Sequence, residues 1–182
     1  FDIKDKKVLY ASKIHERLFP ASTTKIMTAY VTLKYGNLED TVTVGPNATQ
    51  FAEDEQTCGL RTGDMVSLYD LLCGLLLYSG NDCAVAIAEH VAGSVEAFAD
   101  MMNAEAASLR ATNTHFVNPH GLQDDNHYTT AYDLYLIFNA CIKDQRFLDI
   151  ISKDSYTGTL TSADGSVRSE VWEATNFYSQ DL

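Results

Sequence analysis

Leu68-Tyr69-Asp70-Leu71-Leu72-Cys73-Gly74-Leu75-Leu76-Leu77-Tyr78 runs directly into Ser79-Gly80-Asn81, and that into Asp82-Cys83-Ala84-Val85-Ala86-Ile87-Ala88-Glu89-His90-Val91-Ala92. The first run is apolar on nearly every side, which predicts a helix buried all round. Its apolar part, Leu71 to Tyr78, is far shorter than the roughly 20 residues a bilayer span needs, so it reads as a core helix. The second run predicts another helix, ended by Gly93 as its C′ residue. Two packed helices joined by three polar residues hold Ser79 and Asn81 at one rigid point. A hydroxyl there can relay a proton, and a carboxamide can both donate and accept. The same residues also serve as ordinary punctuation, with Gly80 for the turn and Asn81 or Asp82 as the N-cap.

Beyond this pair, Ser94 can cap a further Ala-rich helix reaching about Arg110. The pattern then dissolves into a polar loop from Ala111 to His127 that contains Asn118-Pro119-His120-Gly121. Thr130 to Ile142 is helical again, and Arg146 to Ser152 reads as a short helix. Tyr156 to Thr161 and Ser166 to Trp172 alternate around Asp164-Gly165, which predicts a hairpin. In the other direction, Arg61-Thr62-Gly63 reads as the turn before the buried helix. Thr41 to Val44 is a short β-branched strand. Pro20-Ala21-Ser22 opens a helix whose apolar positions Ile26, Met27, Tyr30, Val31 and Leu33 keep a helical period until Gly36. Phe1 to Ile3 and Val8 to Tyr10 flank a charged turn and predict an opening hairpin. Strands, then helices, then strands predict an α+β fold with a helical region packed on an antiparallel sheet. No repeat or linker divides residues 1–182, so a single domain is expected.

Composition agrees with a folded core, since 46% of the 182 residues are hydrophobic and only 3 are Pro. A formal net charge of −12 weighs against nucleic-acid binding, which needs clustered Lys and Arg. Cys58, Cys73, Cys83 and Cys141 show no CxxC or zinc spacing. They read as small buried apolar residues, with disulfide pairing as the alternative and its connectivity not legible. The opening residues do not form a signal peptide.

Ser22-Thr23-Thr24-Lys25 is the second constellation. Residues i and i+3 share a helix face, so the hydroxyl and the amine are neighbours. A serine needs a base to become a nucleophile. A lysine serves only if burial or nearby cations lower its pKa from about 10.4. Ser22 also falls in a first turn, where free N–H groups favour developing negative charge, so its own N–H suits half of an oxyanion hole. Taken alone, an SxxK spacing is common and describes a capping Ser beside an exposed Lys equally well.

Together the two constellations match the SxxK and S-x-N signatures of penicillin-recognising serine enzymes. Pro20 to Ala29 resembles the nucleophile helix of the low-molecular-weight serine D-alanyl-D-alanine carboxypeptidases (peptidase S11-like penicillin-binding proteins). Leu75 to Asp82 resembles their second motif, with Gly80 where β-lactamases usually carry Asp. Phe116-Val117-Asn118-Pro119-His120-Gly121-Leu122 and Tyr128-Thr129-Thr130-Ala131-Tyr132-Asp133-Leu134 resemble the loop and helix that follow. The resemblance runs from about Val8 to Asn176. It implies a β-lactamase/transpeptidase-like fold and removal of the terminal D-alanine from peptidoglycan stem peptides through an acyl-enzyme on Ser22. Lys25 is then the base, Ser79 the relay to the departing D-alanine, and Asn81 the group that holds the substrate amide. β-Lactams are implied as covalent inhibitors, with no metal or organic cofactor. An extracytoplasmic, cell-envelope location is implied as well, with any membrane contact made through segments outside this sequence.

The chain departs from the family in one respect. No Lys-Thr-Gly, Lys-Ser-Gly or His-Thr-Gly occurs, although the family carries such a strand after its helices to bind the substrate carboxylate. Arg61-Thr62-Gly63 precedes Ser79 and is out of order for that element. The expectation is therefore a chain truncated before the KTG motif, with an incomplete sheet and weakened activity. A class A β-lactamase is disfavoured because no Glu precedes any Asn by four residues. A non-catalytic recognition protein is the remaining alternative, disfavoured by the joint presence of Ser22, Lys25, Ser79 and Asn81. His115, His120 and His127, with Asp124 and Asp125, lack a metal-ligand spacing. His127 is expected in a surface loop or at the rim of a cleft.

Overall fold

The computed structural model describes residues 2, 5 and 7–175 of the chain. Helix α1 spans Thr24–Tyr35 and follows a 3-10 turn at Ala21–Thr23. Strand β1, Thr41–Thr43, and strand β2, Met65–Ser67, come next, separated by a 3-10 turn at Pro46–Thr49. Helices α2 (Leu68–Leu77), α3 (Asn81–Ala92) and α4 (Val95–Ser108) follow. After the long loop come α5 (Ala131–Cys141), α6 (Gln145–Ile151), β3 (Ser155–Thr161) and β4 (Val167–Glu173). The strands form one antiparallel sheet in the order β1-β2-β3-β4.

Helix α2 sits at the centre. Leu68, Leu71, Leu72 and Cys73 have no exposed surface, and the helix packs against α1, α3 and β3. Burying each of those leucines stabilises the fold by roughly 1.5–3 kcal/mol. The helix starts are fixed by side-chain oxygens. Ser67 accepts from Asp70 N, Ser94 from Ala97 N, Thr130 from Asp133 N and Asp144 from Arg146 N. Each such cap contributes about 1 kcal/mol. Gly93, at φ +85, ends α3 in the left-handed conformation expected of a C′ residue.

The structure departs from expectation in three places. β2 was not foreseen, because Met65-Val66-Ser67 is only three residues long and Ser67 is at once the end of the strand and the cap of α2. With β2 in place, two strands lie between α1 and α2, and the strands are not gathered at the two ends of the chain. Among the described residues the opening hairpin shows one antiparallel bridge, between Asp2 and Lys7, while Val8, Leu9 and Tyr10 are exposed. Without a covered face a two-stranded ribbon has little to stabilise it. The Phe1 to Ile3 half of that expectation falls largely outside the described residues, as does the stretch from 176 onward.

Arg61-Thr62-Gly63 forms the turn into β2. Gly63 N donates to Val44 O at 2.8 Å, and Arg61 N donates to the buried Asp64 carboxylate at 2.7 Å. Arg168 on β4 reaches the same carboxylate at 2.6 and 2.8 Å, tying the hairpin to this turn. Among the described residues no helix is long and apolar enough to cross a membrane.

Candidate active site

Ser22 lies in the short turn before α1, exposed, with the N–H groups of a first turn around it. Ala21 is held at φ +48, a conformation that costs a residue with a Cβ of order 1–3 kcal/mol. What holds it there is the loop after Phe116. Asn118 Oδ1 accepts from Gly121 N at 2.7 Å, and Asn118 Nδ2 donates to Leu122 O at 2.9 Å, folding a tight turn. Gly121, at φ +94, then lies so close to the turn that carries Ser22 that a Cβ on it would stand 1.9 Å from Ala21 O. Only glycine permits that approach.

Three residues of α1 fasten the same loop. Thr28 Oγ1 donates to Pro119 O at 2.6 Å, Lys25 Nζ donates to His120 O at 2.8 Å, and Thr24 Oγ1 meets His127 Nε2 at 2.7 Å. Val117 N donates to His127 Nδ1, so the ring proton sits on Nε2 and is given to Thr24. His127 is 1% exposed, and burial pushes its pKa down to about 4, so it is a neutral structural clip. The surface-loop expectation for His127 is thereby corrected. Its ring does line the cleft, so the rim placement was nearer the mark. Nothing in the sequence signalled that His120 would contribute its carbonyl.

Lys25 is 3% exposed, and burial lowers its pKa to about 8, against smaller opposing effects of Cys83, Cys58 and Asp82. Its Nζ lies 2.8 Å from Asn81 Oδ1, 2.8 Å from His120 O and 3.3 Å from Ser22 Oγ. All three partners can accept, so an ammonium is fully satisfied here. In the neutral amine two hydrogens serve the two short bonds, and the remaining direction carries the lone pair toward Ser22 Oγ. That arrangement supports proton removal from the hydroxyl. At pH 7 a pKa of 8 leaves about 10% of the lysine neutral, roughly 300-fold more than a pKa of 10.5 would.

Asn81 is the first residue of α3, 5% exposed, with its backbone N–H bonded to Gln56 O at 2.9 Å. Ser79 sits between α2 and α3 at φ +62, a second left-handed non-glycine residue in this region. Among the described residues no hydrogen bond joins its half-buried hydroxyl to Ser22, Lys25 or Asn81. The structure therefore brings Ser22, Lys25 and Asn81 into one bonded cluster, of which Ser79 is not a bonded member. Beside Asn81, Asp82 turns inward and accepts from Cys58 N, Leu60 N and Cys83 N.

A cleft of about 350 Å³ opens over Ser22. Pro20, Ala21, Asn81, His120, Gly121 and His127 line one part of it, and Asp54, Glu55 and Gln56 form an acidic wall. His120 accepts from Leu122 N through Nδ1, so its proton lies on Nε2. Burial and the nearby Lys25 lower its pKa to about 4. His115 Nδ1 donates to Asn126 O at 2.6 Å. The histidines do not gather as a metal-ligand group among the described residues. The one group of three or more potential ligands there is Cys58, Asp82 and Cys83.

Comparison with known proteins follows the same lines. The sequence profile described as D-alanyl-D-alanine carboxypeptidase, peptidase S11, matches residues 1–179. The chain is 41% identical over 152 residues to the D-alanyl-D-alanine carboxypeptidase DacC of Escherichia coli, covering 79% of this chain and 38% of that protein. It is 33% identical over 179 residues to the D-alanyl-D-alanine carboxypeptidase of Streptomyces sp. strain K15, covering 92% and 62%. The crystal structure of the Streptomyces K15 DD-transpeptidase superposes with a TM-score of 0.93 at 31% identity, over 100% of this chain and 74% of that one. A penicillin-binding protein homologue from Mycobacterium tuberculosis gives 0.87 at 33%, over 98% and 66%. The chain thus spans about 38% of the length of the E. coli and Haemophilus influenzae carboxypeptidases it matches. On the match of its sequence and of its α+β penicillin-binding/transpeptidase fold, the chain belongs to the D-alanyl-D-alanine carboxypeptidase family, peptidase S11.

Proposed function

We propose that the protein is a serine D-alanyl-D-alanine carboxypeptidase that removes the terminal D-alanine of peptidoglycan stem peptides through an acyl-enzyme on Ser22. The observation that carries this reading is the buried Lys25 amine, its pKa lowered to about 8, between Ser22 Oγ and Asn81 Oδ1. The neutral amine takes the Ser22 proton as Oγ attacks the carbonyl between the two D-alanines. The Ser22 N–H, free in its turn, meets the developing oxyanion. Asn81 Nδ2, unused by Lys25, is the group available to the substrate amide. Ser79 returns the proton to the departing amine, which requires its hydroxyl to turn toward the cleft once substrate is bound. Water then releases the shortened peptide. β-Lactams, which resemble the acyl-D-Ala-D-Ala end, acylate the same Ser22. Acting on peptidoglycan, the protein works at the cell envelope, outside the cytoplasm.

The test is release of D-alanine from a peptide ending in D-Ala-D-Ala by the full-length protein and by Ser22→Ala. Release by the first alone supports the proposal; equal release by both, or by neither, overturns it. Because the Streptomyces K15 relative is described both as a carboxypeptidase and as a DD-transpeptidase, an amine acceptor should be included. Transfer to the amine in place of water would make the reaction a transpeptidation on the same acyl-enzyme.

A further inference from the structure

Two thiols lie beneath the cleft, and the reaction above uses neither. Cys58 Sγ, Cys83 Sγ and an Asp82 carboxylate oxygen lie within 4.8 Å of one another, all buried. The sulfurs occupy space left by two glycines. A Cβ on Gly74 would stand 2.8 Å from Cys83 Sγ and 2.9 Å from Cys58 Sγ, and one on Gly80 would stand 2.4 Å from Cys58 Sγ. Both thiols therefore press on the same bare backbone and toward each other.

A metal ion is a poor fit for this group. Both Asp82 oxygens already accept backbone N–H bonds, from Cys58, Leu60 and Cys83, at 2.8 to 3.1 Å. A tetrahedral site also needs a fourth ligand, and no other His, Cys, Asp or Glu joins the group among the described residues. Asp82 acts instead as a clamp. One carboxylate holds the N–H of both cysteines, fixing their backbones to a common point, as a disulfide requires.

We infer that Cys58 and Cys83 are the two halves of a disulfide that locks the segment from 52 to 60 onto the start of α3. That segment carries Asp54, Glu55 and Gln56 of the cleft wall, and Gln56 O already accepts from Asn81 N. The crosslink fixes this wall relative to Asn81. The oxidant is another disulfide, small-molecule or protein. Cys58, 4% exposed, lies on a segment largely exposed from 52 to 57, whereas Cys83 has no exposed surface. The Cys58 thiolate attacks one sulfur of the oxidant, breaking its S–S bond and expelling one thiolate. The Cys83 thiolate then attacks Cys58 Sγ in the mixed disulfide and expels the second. One S–S bond breaks, one forms, two electrons pass to the oxidant, and its two thiolates take up the two protons. Burial pushes the Cys83 thiol well above its ordinary pKa, so little of it is thiolate near neutral pH and the second step is the slow one.

The experiment incubates the reduced full chain with oxidised glutathione and reads intact mass, a peptide map and the melting temperature. A loss of two hydrogens, about 2 Da, is expected, with a peptide linking Cys58 to Cys83. Closing a loop of about 25 residues should raise Tm by roughly 5–12 °C. The Cys73→Ser/Cys141→Ser double variant, which keeps the pair, should show both effects, and Cys58→Ala neither. Free Cys58 and Cys83 after oxidation, a linkage to Cys73 or Cys141, or a stoichiometric metal ion released by a chelator would each overturn the inference. None of these readouts depends on turnover, so the inference can fail while the proposed reaction stands, and the reverse.

Discussion

Replacing Asn81 by Asp puts a carboxylate oxygen where Lys25 Nζ now meets an amide oxygen at 2.8 Å. An opposite charge at that distance raises a lysine pKa by about 1–3 units, against the burial that lowers it to about 8. At pH 7 the neutral, base-competent fraction should fall by about one order of magnitude per unit, so about 10- to 1000-fold. The assay is the second-order rate of acylation by a β-lactam, followed by intact mass between about pH 6 and 10.5. In the parent protein the rate should rise with pH and level off above a midpoint near 8. In Asn81→Asp the midpoint should move to about 9–11, reporting the base. The plateau should fall separately, reporting loss of the carboxamide donor. A midpoint that stays near 8 while the plateau falls would refute the assignment of that ionisation to Lys25.

Three further outcomes follow from the same geometry. Gly121→Ala should destabilise the fold by about 2–4 kcal/mol in urea unfolding, because the new methyl meets Ala21 O and the backbone is at φ +94. Lys25→Met should expose the linkage of the buried amine. A folded-state pKa below the unfolded value means the ammonium form is penalised by folding. The stability of the parent relative to the variant should therefore rise as pH climbs from about 8 to 10.5, by about 3 kcal/mol, in paired denaturation curves. Burial raises the Asp64 pKa, but the Arg168 hydrogen bonds, the Arg61 N–H, the Arg168 charge and Ser162 together outweigh it and hold the carboxyl below its usual range. That contribution is present above about pH 3.9 and lost as pH falls through the folded value. Asp64→Asn should cost about 2–4 kcal/mol at pH 7 and flatten the acid limb of the stability curve below about pH 4.

What the sequence made legible is what local spacing controls. Ser22 and Lys25 are three residues apart, and the expected neighbourhood appears as a 3.3 Å contact. The all-round apolar run from Leu68 became the buried α2, and Ser79-Gly80-Asn81 became the tight connection to α3. The requirement for a lowered lysine pKa was legible, but its cause was not. Burial of Lys25 comes from a loop almost a hundred residues away that contributes the His120 carbonyl, a group every residue possesses. The same limit hid the Asp64–Arg168 pair, which joins positions 104 residues apart, and β2, whose three residues gain strand form only through β1 and β3. His127 was misplaced as a surface residue because its partners, Thr24 and Val117, meet only in the folded chain.

The central claim is that Ser22 is the nucleophile and Lys25 its base. Digestion of the β-lactam-treated full-length protein, with mass mapping of the adduct, tests it most directly. The account predicts one covalent adduct, on the peptide bearing Ser22, absent in Ser22→Ala and slowed by about 10²–10⁴-fold in Lys25→Ala. An adduct on any other residue, or one that persists at full rate without Lys25, would contradict it.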